Sequence, residues 1–561
     1  MSVKYFNNEN IKSINETVKK LNDENIVNRI WQKDYTVWNN NPDEISNRLG
    51  WLDCFLVTSK SFDQIYSFVD EIREEGFTQA LLLGMGGSSL APEVFRLIFG
   101  VKEGYLDLSI IDSTHPEAIL EKAKKFDPVK TLYIVSTKSG GTVETISFMK
   151  FFYNYALNKL GKEKVSKHFM AITDPGSGLE QMAKDLNFRK IFLNDPNIGG
   201  RFSALSLFGI VPAALIGVDI KKLFTRVEYE INLDRKSGDE IKINNSAIFG
   251  TILGAAAKAG KDKLTIITSE QLKPLGAWIE QLVAESTGKA GKGILPVDLE
   301  ELLLQDNYGD DRVFICLKLK NDSIDQEKIN VLKNAGLSLI EFGLDDVYDL
   351  GKEFFKWEFA TAIAGCVLGI QPFDQPNVEQ AKVIARKIIK DYQESGKLVL
   401  PTPVIVENNI KVISDLQLDN LQNVISNFLS GCKEGKSYVS LQAYLNPTEE
   451  NFNLLQEFRT SIQKKYKVAT TLGFGPRFLH STGQLHKGDS GNGYFIQFVS
   501  DVKNDLPVPD NAGDDKSSIT FGVLIKAQAF GDRQALLDNK KNVITFDLGD
   551  DIKKAFEKIK I

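Results

Sequence analysis

The chain has 561 residues, 42% hydrophobic, 25% charged and 10% aromatic, a globular composition with length for roughly two to four domains. Lys and Arg number 68 against 74 Asp and Glu, a net charge of −6; this argues against a general nucleic-acid partner, because neutralising phosphate needs a basic surface. The four cysteines (Cys54, Cys316, Cys366, Cys432) form no CxxC pair, and the four histidines (His115, His168, His480, His486) show no HExxH or HxH spacing. Disulfide scaffolds, zinc ribbons and thioredoxin-type chemistry are therefore poor fits, and neither metal nor cofactor is expected.

Residues 1–75 alternate polar and apolar positions at helical spacing, with Trp31, Trp38 and Trp51 among them, and read as a helical preamble. The opening stretch is polar, so no signal peptide is expected and a cytoplasmic location follows. From residue 76 to 225 short apolar runs read as buried strands at Ala80–Gly84, Leu106–Ile111, Leu132–Ser136 and Phe169–Thr173, each followed by a helical pattern. Phe202–Ile220 approaches the length of a membrane span but carries Ser203, Ser206, Pro212 and Asp219, and reads as a helix buried in the domain, with no membrane partner. After a polar connector at Lys221–Asn244 the same grammar restarts, and 226–561 reads as a second domain with a C-terminal extension. Its strands are expected at Leu264–Thr268, Val313–Leu319, Leu337–Phe342, Tyr438–Leu445, Gly493–Val499, Ile519–Ile525 and Val543–Phe546, with Asp501–Ser518 as the loosest segment. Alternating buried strands and helices predict an α/β fold, two doubly wound parallel sheets behind the helical segment.

Five motifs carry candidate chemistry. GMGGSSL (Gly84–Leu90) follows a strand and opens a helix, where Gly87 and Ser88 bring backbone close to a ligand or merely make a tight turn. It lacks the last glycine of a dinucleotide fingerprint and the lysine of a P-loop. STKSGGTVET (Ser136–Thr145) sets Thr137, Ser139, Thr142 and Thr145 at a helix start beside Lys138. A cap needs one hydroxyl, not four, so a phosphate cradle is the better reading. GGRFS (Gly199–Ser203) places Arg201 after Gly200, suited to aiming a fixed charge into a cleft. In QLVAESTGK, Glu285 ends an apolar helical stretch; it reads as a general base or as a solvated helix-end carboxylate. FDQPNVEQAK spaces Gln375 and Lys382 seven apart, putting Lys382 nearly two turns into a helix if Pro376 starts one. GDSG (Gly488–Gly491) has the form of a serine-protease motif, without the all-β context that chemistry needs.

Taken in order, GMGGSSLAP, STKSGGTVET, GGRFS, QLVAESTGKAGKG and PFDQPNVEQAK resemble the signatures of the glucose-6-phosphate isomerase family, over about residue 26 to the C-terminus. IVNRIWQKDYTVW, EISNRLGWL and FGPRFLHSTGQLHKG are similar to the isomerase portion of transaldolase–isomerase fusions. The resemblance implies two sugar-isomerase (SIS) domains and interconversion of glucose 6-phosphate and fructose 6-phosphate through a cis-enediol(ate). It also implies a small sugar-phosphate substrate, no metal, and a homodimer. By resemblance, Thr137, Ser139, Thr142 and Thr145, with Lys138, bind the phosphate, and Gly87, Ser88 and Gly200 approach the substrate. Glu285 moves a proton between C1 and C2, Arg201 steadies the enediolate, and Gln375 and Lys382 match the family's Gln and ring-opening Lys. The family's usual ring-opening histidine would fall between Glu285 and Gln375, where this chain has none. GPRFLH (Gly475–His480) has the expected GxxxxH form, so His480 is expected there through a reconnected sheet element, with His486 as second choice. A non-catalytic SIS sensor and an isomerase that also accepts mannose 6-phosphate are the alternative readings.

Overall fold

The computed structural model describes residues 4–6, 11–236, 241 and 244–561. The strands in chain order begin with β1 (Lys4–Phe6), followed by β2 (Gln79–Gly84), β3 (Asp107–Ile111), β4 (Thr131–Ser136), β5 (Phe169–Thr173) and β6 (Lys190–Leu193). The last five form one parallel sheet in the order β3-β2-β4-β5-β6. β4 and β5 are buried along their whole length, which is why they read as unbroken apolar runs.

The second sheet holds β7 (Lys263–Thr268), β8 (Leu295–Val297), β9 (Arg312–Leu319) and β10 (Leu339–Leu344), parallel in the order β10-β9-β7-β8, with β1 antiparallel on the β10 edge. One hydrophobic cluster runs from Leu82 and Ile134 on the first sheet to Leu264 and Ile315 on the second, through Trp51, Trp278 and Trp357. Its middle is helix Leu350–Leu368, buried on nearly every side, against helix Asn245–Lys258. Gly250 and Gly254 let those helices touch: a Cβ at Gly250 would sit 2.2 Å from the Ala360 carbonyl oxygen.

The two-sheet expectation needs a correction here, because 226–561 contains a third sheet. β11 (Ile405–Glu407), β12 (Ile410–Ile413), β13 (Tyr438–Tyr444), β14 (Ala469–Phe474), β15 (Gly493–Val499) and β18 (Asn542–Asp547) assemble in the order β11-β12-β18-β15-β13-β14. Its four parallel strands repeat the order of the second sheet, with the strand second in sequence outside the first and the third on the other side. This sheet has a core of its own, including Val439, Leu441, Ile496 and Phe546. Residues 396–404 lead into it without regular secondary structure, and Val399 there is 81% exposed.

Other expectations are corrected by packing. Lys221–Asn244 is no connector over most of its length: Ile220–Lys236 is a helix whose Ile220, Leu223, Val227 and Ile231 are buried. The strand expected at Ile519–Ile525 ends at Thr520, which caps helix Phe521–Asp538 with its side chain. Asp501–Ser518 is pinned rather than loose: β16 (Pro507–Pro509) pairs with β17 (Ser517–Thr520) against helix Val143–Leu160, where Lys150 and Asn154 donate to the Asp510 and Asp514 carbonyls at 2.6 Å each. Phe202–Ile220 contains the fully buried helix Leu207–Leu215, and no helix among the described residues is long and apolar enough to cross a membrane.

Candidate active site

In the first sheet the order of strand addition reverses between β2 and β4, the place where loops diverge and leave a crevice at the carboxyl ends of the strands. Both glycine- and hydroxyl-rich motifs leave from those two strands. After β2, Gly87 passes so close to Gly200 that a Cβ would lie 2.0 Å from the Gly200 carbonyl oxygen, which explains a glycine there. The Ser88 carbonyl accepts from the Ser136 hydroxyl at 3.0 Å, tying the two loops together. After β4, Ser139, Gly141 and Thr142 line a cavity of about 290 Å³ at the start of helix Val143–Leu160. Lys382, Arg386 and His480 line the same cavity, so hydroxyls, a helix N-terminus and cations face one space.

Not every expected phosphate group reaches it. Thr137 is buried, its hydroxyl 3.0 Å from that of Thr142. Thr145 is buried, with a hydroxyl that has no hydrogen-bond partner among the described residues. The Lys138 ammonium is taken up by the Asp174 carboxylate and donates to the Pro196 carbonyl at 2.9 Å.

Arg201 is 4% exposed, and its guanidinium is held on every side. It donates to the Ser286 hydroxyl at 2.8 Å, the Gln375 amide oxygen at 3.0 Å, and the Pro372 and Asp374 carbonyls at 2.7 and 2.9 Å. Nη1 also lies 3.3 Å from Glu285 Oε1. Burial lowers the Arg201 pKa, opposed by the charges of Glu285 and Asp374. Next to it, Lys289 donates to Asp374 Oδ1 at 2.7 Å; burial and the Arg201 charge bring its pKa down to about 8. Glu285 therefore sits in the last turn of helix Leu275–Thr287 against a fixed positive charge, not as a solvated helix end.

Gln281, one turn earlier on that helix, bridges the motifs. Its amide donates to Glu285 Oε2 at 3.3 Å and to the His480 backbone carbonyl at 2.5 Å. His480, from the third sheet's β14 loop, meets Glu144 Oε1 through Nε2 at 3.0 Å. Glu144 is 6% exposed and also accepts from Gln528 at 2.7 Å, while Thr114 donates to Gln528 at 2.7 Å. Burial would raise the Glu144 pKa, but the charge and hydrogen bond of His480 outweigh it and hold the carboxyl below its ordinary value. His486 plays a different part. It is buried, bonded through Nδ1 to Gln442 at 3.1 Å and packed on Phe495, with burial holding its pKa well below the usual histidine value.

Lys382 lies in the first turn of helix Glu379–Ser395, which starts three residues beyond Pro376, and its Nζ is 3.6 Å from Glu379. Glu144, Gln281, Gln528 and Lys289 were missed as site residues in the sequence. Gln281 stands four residues before Glu285, a same-face spacing that could have flagged it. Glu144 was hidden as an ordinary acidic residue in a helix's first turn.

Residues 58–294 match the family model described as phosphoglucose isomerase. A probable glucose-6-phosphate isomerase of Methanococcus maripaludis is 29% identical over 387 residues, 62% of this chain and 85% of that protein. The glucose-6-phosphate isomerase of Campylobacter jejuni is 26% identical over 393 residues, 62% of this chain and 94% of its own. Among solved structures, a hypothetical protein of Thermus thermophilus superposes with TM-score 0.58 at 22% identity, over 69% of this chain and 99% of that one. A Chlamydia trachomatis glucose-6-phosphate isomerase gives 0.56 at 18% identity, over 67% and 86%. These two support the fold, a mixed α/β architecture of parallel sheets. The stretch that matches the phosphoglucose isomerase model, residues 58–294, carries the hydroxyl loop, Arg201 and Glu285, and the chain is similar over about three-fifths of its length to glucose-6-phosphate isomerases.

Proposed function

We propose that this chain is an aldose–ketose isomerase that interconverts glucose 6-phosphate and fructose 6-phosphate. The observation that carries the reading is the Arg201–Glu285 pair, joined through Gln281 to His480 beside the hydroxyl-lined cavity. Ser139, Thr142 and the Val143 helix start hold the phosphate, with Lys382 and Arg386 supplying charge. His480, oriented by Glu144, moves the proton between the C1 hydroxyl and the ring oxygen as the ring opens, assisted by Lys382. Glu285 then takes the proton from C2 and returns it to C1, while Arg201 stabilises the negative charge on the enediolate oxygen. A sugar-phosphate sensor would need the cradle but not a buried Arg201–Glu285 pair.

The family resemblance supports a homodimer in which the histidine crosses between subunits, whereas the contact of His480 with Glu144 inside one chain supports a site that uses its own chain's histidine. The His480 segment, GPRFLHSTGQLHKG, supports kinship with the isomerase portion of transaldolase–isomerase fusions. Four free cysteines support a cytoplasmic location. The test is an assay coupling fructose 6-phosphate consumption to glucose 6-phosphate formation with a chelator present. Turnover is expected to persist; its absence with both substrates, or its rescue only by a divalent metal, would overturn the reading.

A further inference from the structure

The third sheet repeats the topology that positions the active site on the first. The order in which its parallel strands are added also reverses once, between β13 and β15, so a crevice opens at their carboxyl ends. There the structure has a cavity of about 490 Å³, walled by the residues that follow β13, β15 and β18: Asn446, Ser500 and Gly549. The opposite wall comes from the first sheet, whose His115 precedes helix Pro116–Lys125. His115 is 2% exposed, and its Nδ1 has no hydrogen-bond partner among the described residues. A buried imidazole edge without a partner costs free energy, and the ring that carries it lines the cavity. Burial lowers the His115 pKa to about 4, so the ring facing the cavity is neutral.

The lining chooses among ligand classes. Glu117, Glu450, Asp501, Asp550 and Asp551 line it beside Lys503 and Lys553, an acidic excess that disfavours a phosphate. Two helix starts, Pro116–Lys125 and Glu449–Tyr466, bring positive dipole ends that offset the carboxylates and disfavour a simple cation. Among the described residues no group of three His, Cys, Asp or Glu side chains is placed to hold a metal ion. What remains is a wall of mixed donors and acceptors, including Asn446, Asn451, Thr448 and Ser500, which suits hydroxyl groups because each both donates and accepts. We propose that the crevice between the β13 and β15 loops is a second small-molecule site, separate from the isomerase centre, for a neutral polyhydroxylated ligand such as an unphosphorylated sugar or sugar alcohol.

The test is titration of the full chain with D-glucose and D-sorbitol by saturation-transfer NMR and calorimetry, with inorganic phosphate and 1,4-diaminobutane as contrasting probes. Saturable binding of glucose or sorbitol is expected, weakened at least about tenfold by His115→Phe and by Asp501→Lys, and not displaced by inorganic phosphate. Asp501→Lys, at the exposed rim, is expected to leave isomerase turnover unchanged, and it carries the test alone should His115→Phe fail to fold. Absence of saturable binding by both polyols would overturn the proposal. So would binding indifferent to the variants, displacement by phosphate, or preference for the diamine.

Discussion

In the proposed mechanism Glu285 and His480 occupy different steps, and their variants should fail differently. Glu285→Gln is expected to lower turnover by at least about 10²–10⁴, even from an open-chain substrate analogue, because it removes the proposed general base for the carbon-bound proton. His480→Ala should depress turnover of the cyclic hexose phosphates far more than that of the acyclic analogue. Parallel kinetics on both substrates separate the two, and equal losses on both for His480→Ala would remove it from ring opening. In the cradle, Ser139→Ala with Thr142→Ala should raise KM strongly, each lost bond to a charged group being worth about 1.5–3 kcal/mol. An unchanged KM would move the phosphate elsewhere. How these residues meet was legible only in part. STKSGGTVET announces a cradle because its hydroxyls are adjacent in sequence, but Glu144 and His480 lie 336 positions apart, and no local spacing encodes that pair.

At the scale of elements, apolar continuity was the reliable signal. β4 and β9 are buried on both faces and read directly as strands. Helix Ile220–Lys236 was read as a connector because its charged residues dominate, although Ile220, Leu223, Phe224, Val227 and Ile231 keep the helical spacing of a buried stripe. Close helix packing leaves its own trace, in the glycines four apart at Gly250 and Gly254. Gly250→Ala would drive a methyl into the Ala360 carbonyl, with an expected cost of about 1–3 kcal/mol, measurable by urea unfolding. Stability equal to the parent chain would show that helix Leu350–Leu368 can shift to make room.

Across the whole molecule, titratable groups gather where the three sheets meet. Glu280, on the Glu285 helix, accepts from Ser481 beside His480 at 3.3 Å. Burial, reinforced by the like charge of Asp298, pushes Glu280 up to about 8, and burial pushes Asp298 up to about 7. Folded carboxyls of this kind hold protons that the unfolded chain releases. Their contribution to stability is therefore full below the ordinary carboxylate range and is lost as pH rises through about 7 to 8. Unfolding at about pH 5 and about pH 8.5 should show the chain less stable at the higher value, and Glu280→Gln should flatten that difference. An undiminished slope in the variant would assign it to other groups. The third sheet itself was invisible as a separate body because its strands continue the same α/β grammar; only long-range pairing decides which sheet a strand joins.

The exposed stretch at 396–404 divides the chemistry between two lengths of chain. Everything that would abstract the carbon-bound proton lies before it, and the imidazole and Gln528 lie after it. The junction is sealed by side chains, Arg477 reaching Asp112 at 3.0 Å and Arg459 reaching the Asp298 carbonyl at 2.8 Å, so a covalent link there adds effective concentration and no contact. The enzyme should therefore work as a two-piece complementation system. Co-expression of residues 1–399 with 400–561 is expected to restore turnover of glucose 6-phosphate that neither piece has alone, with His480→Ala in the shorter piece abolishing the gain.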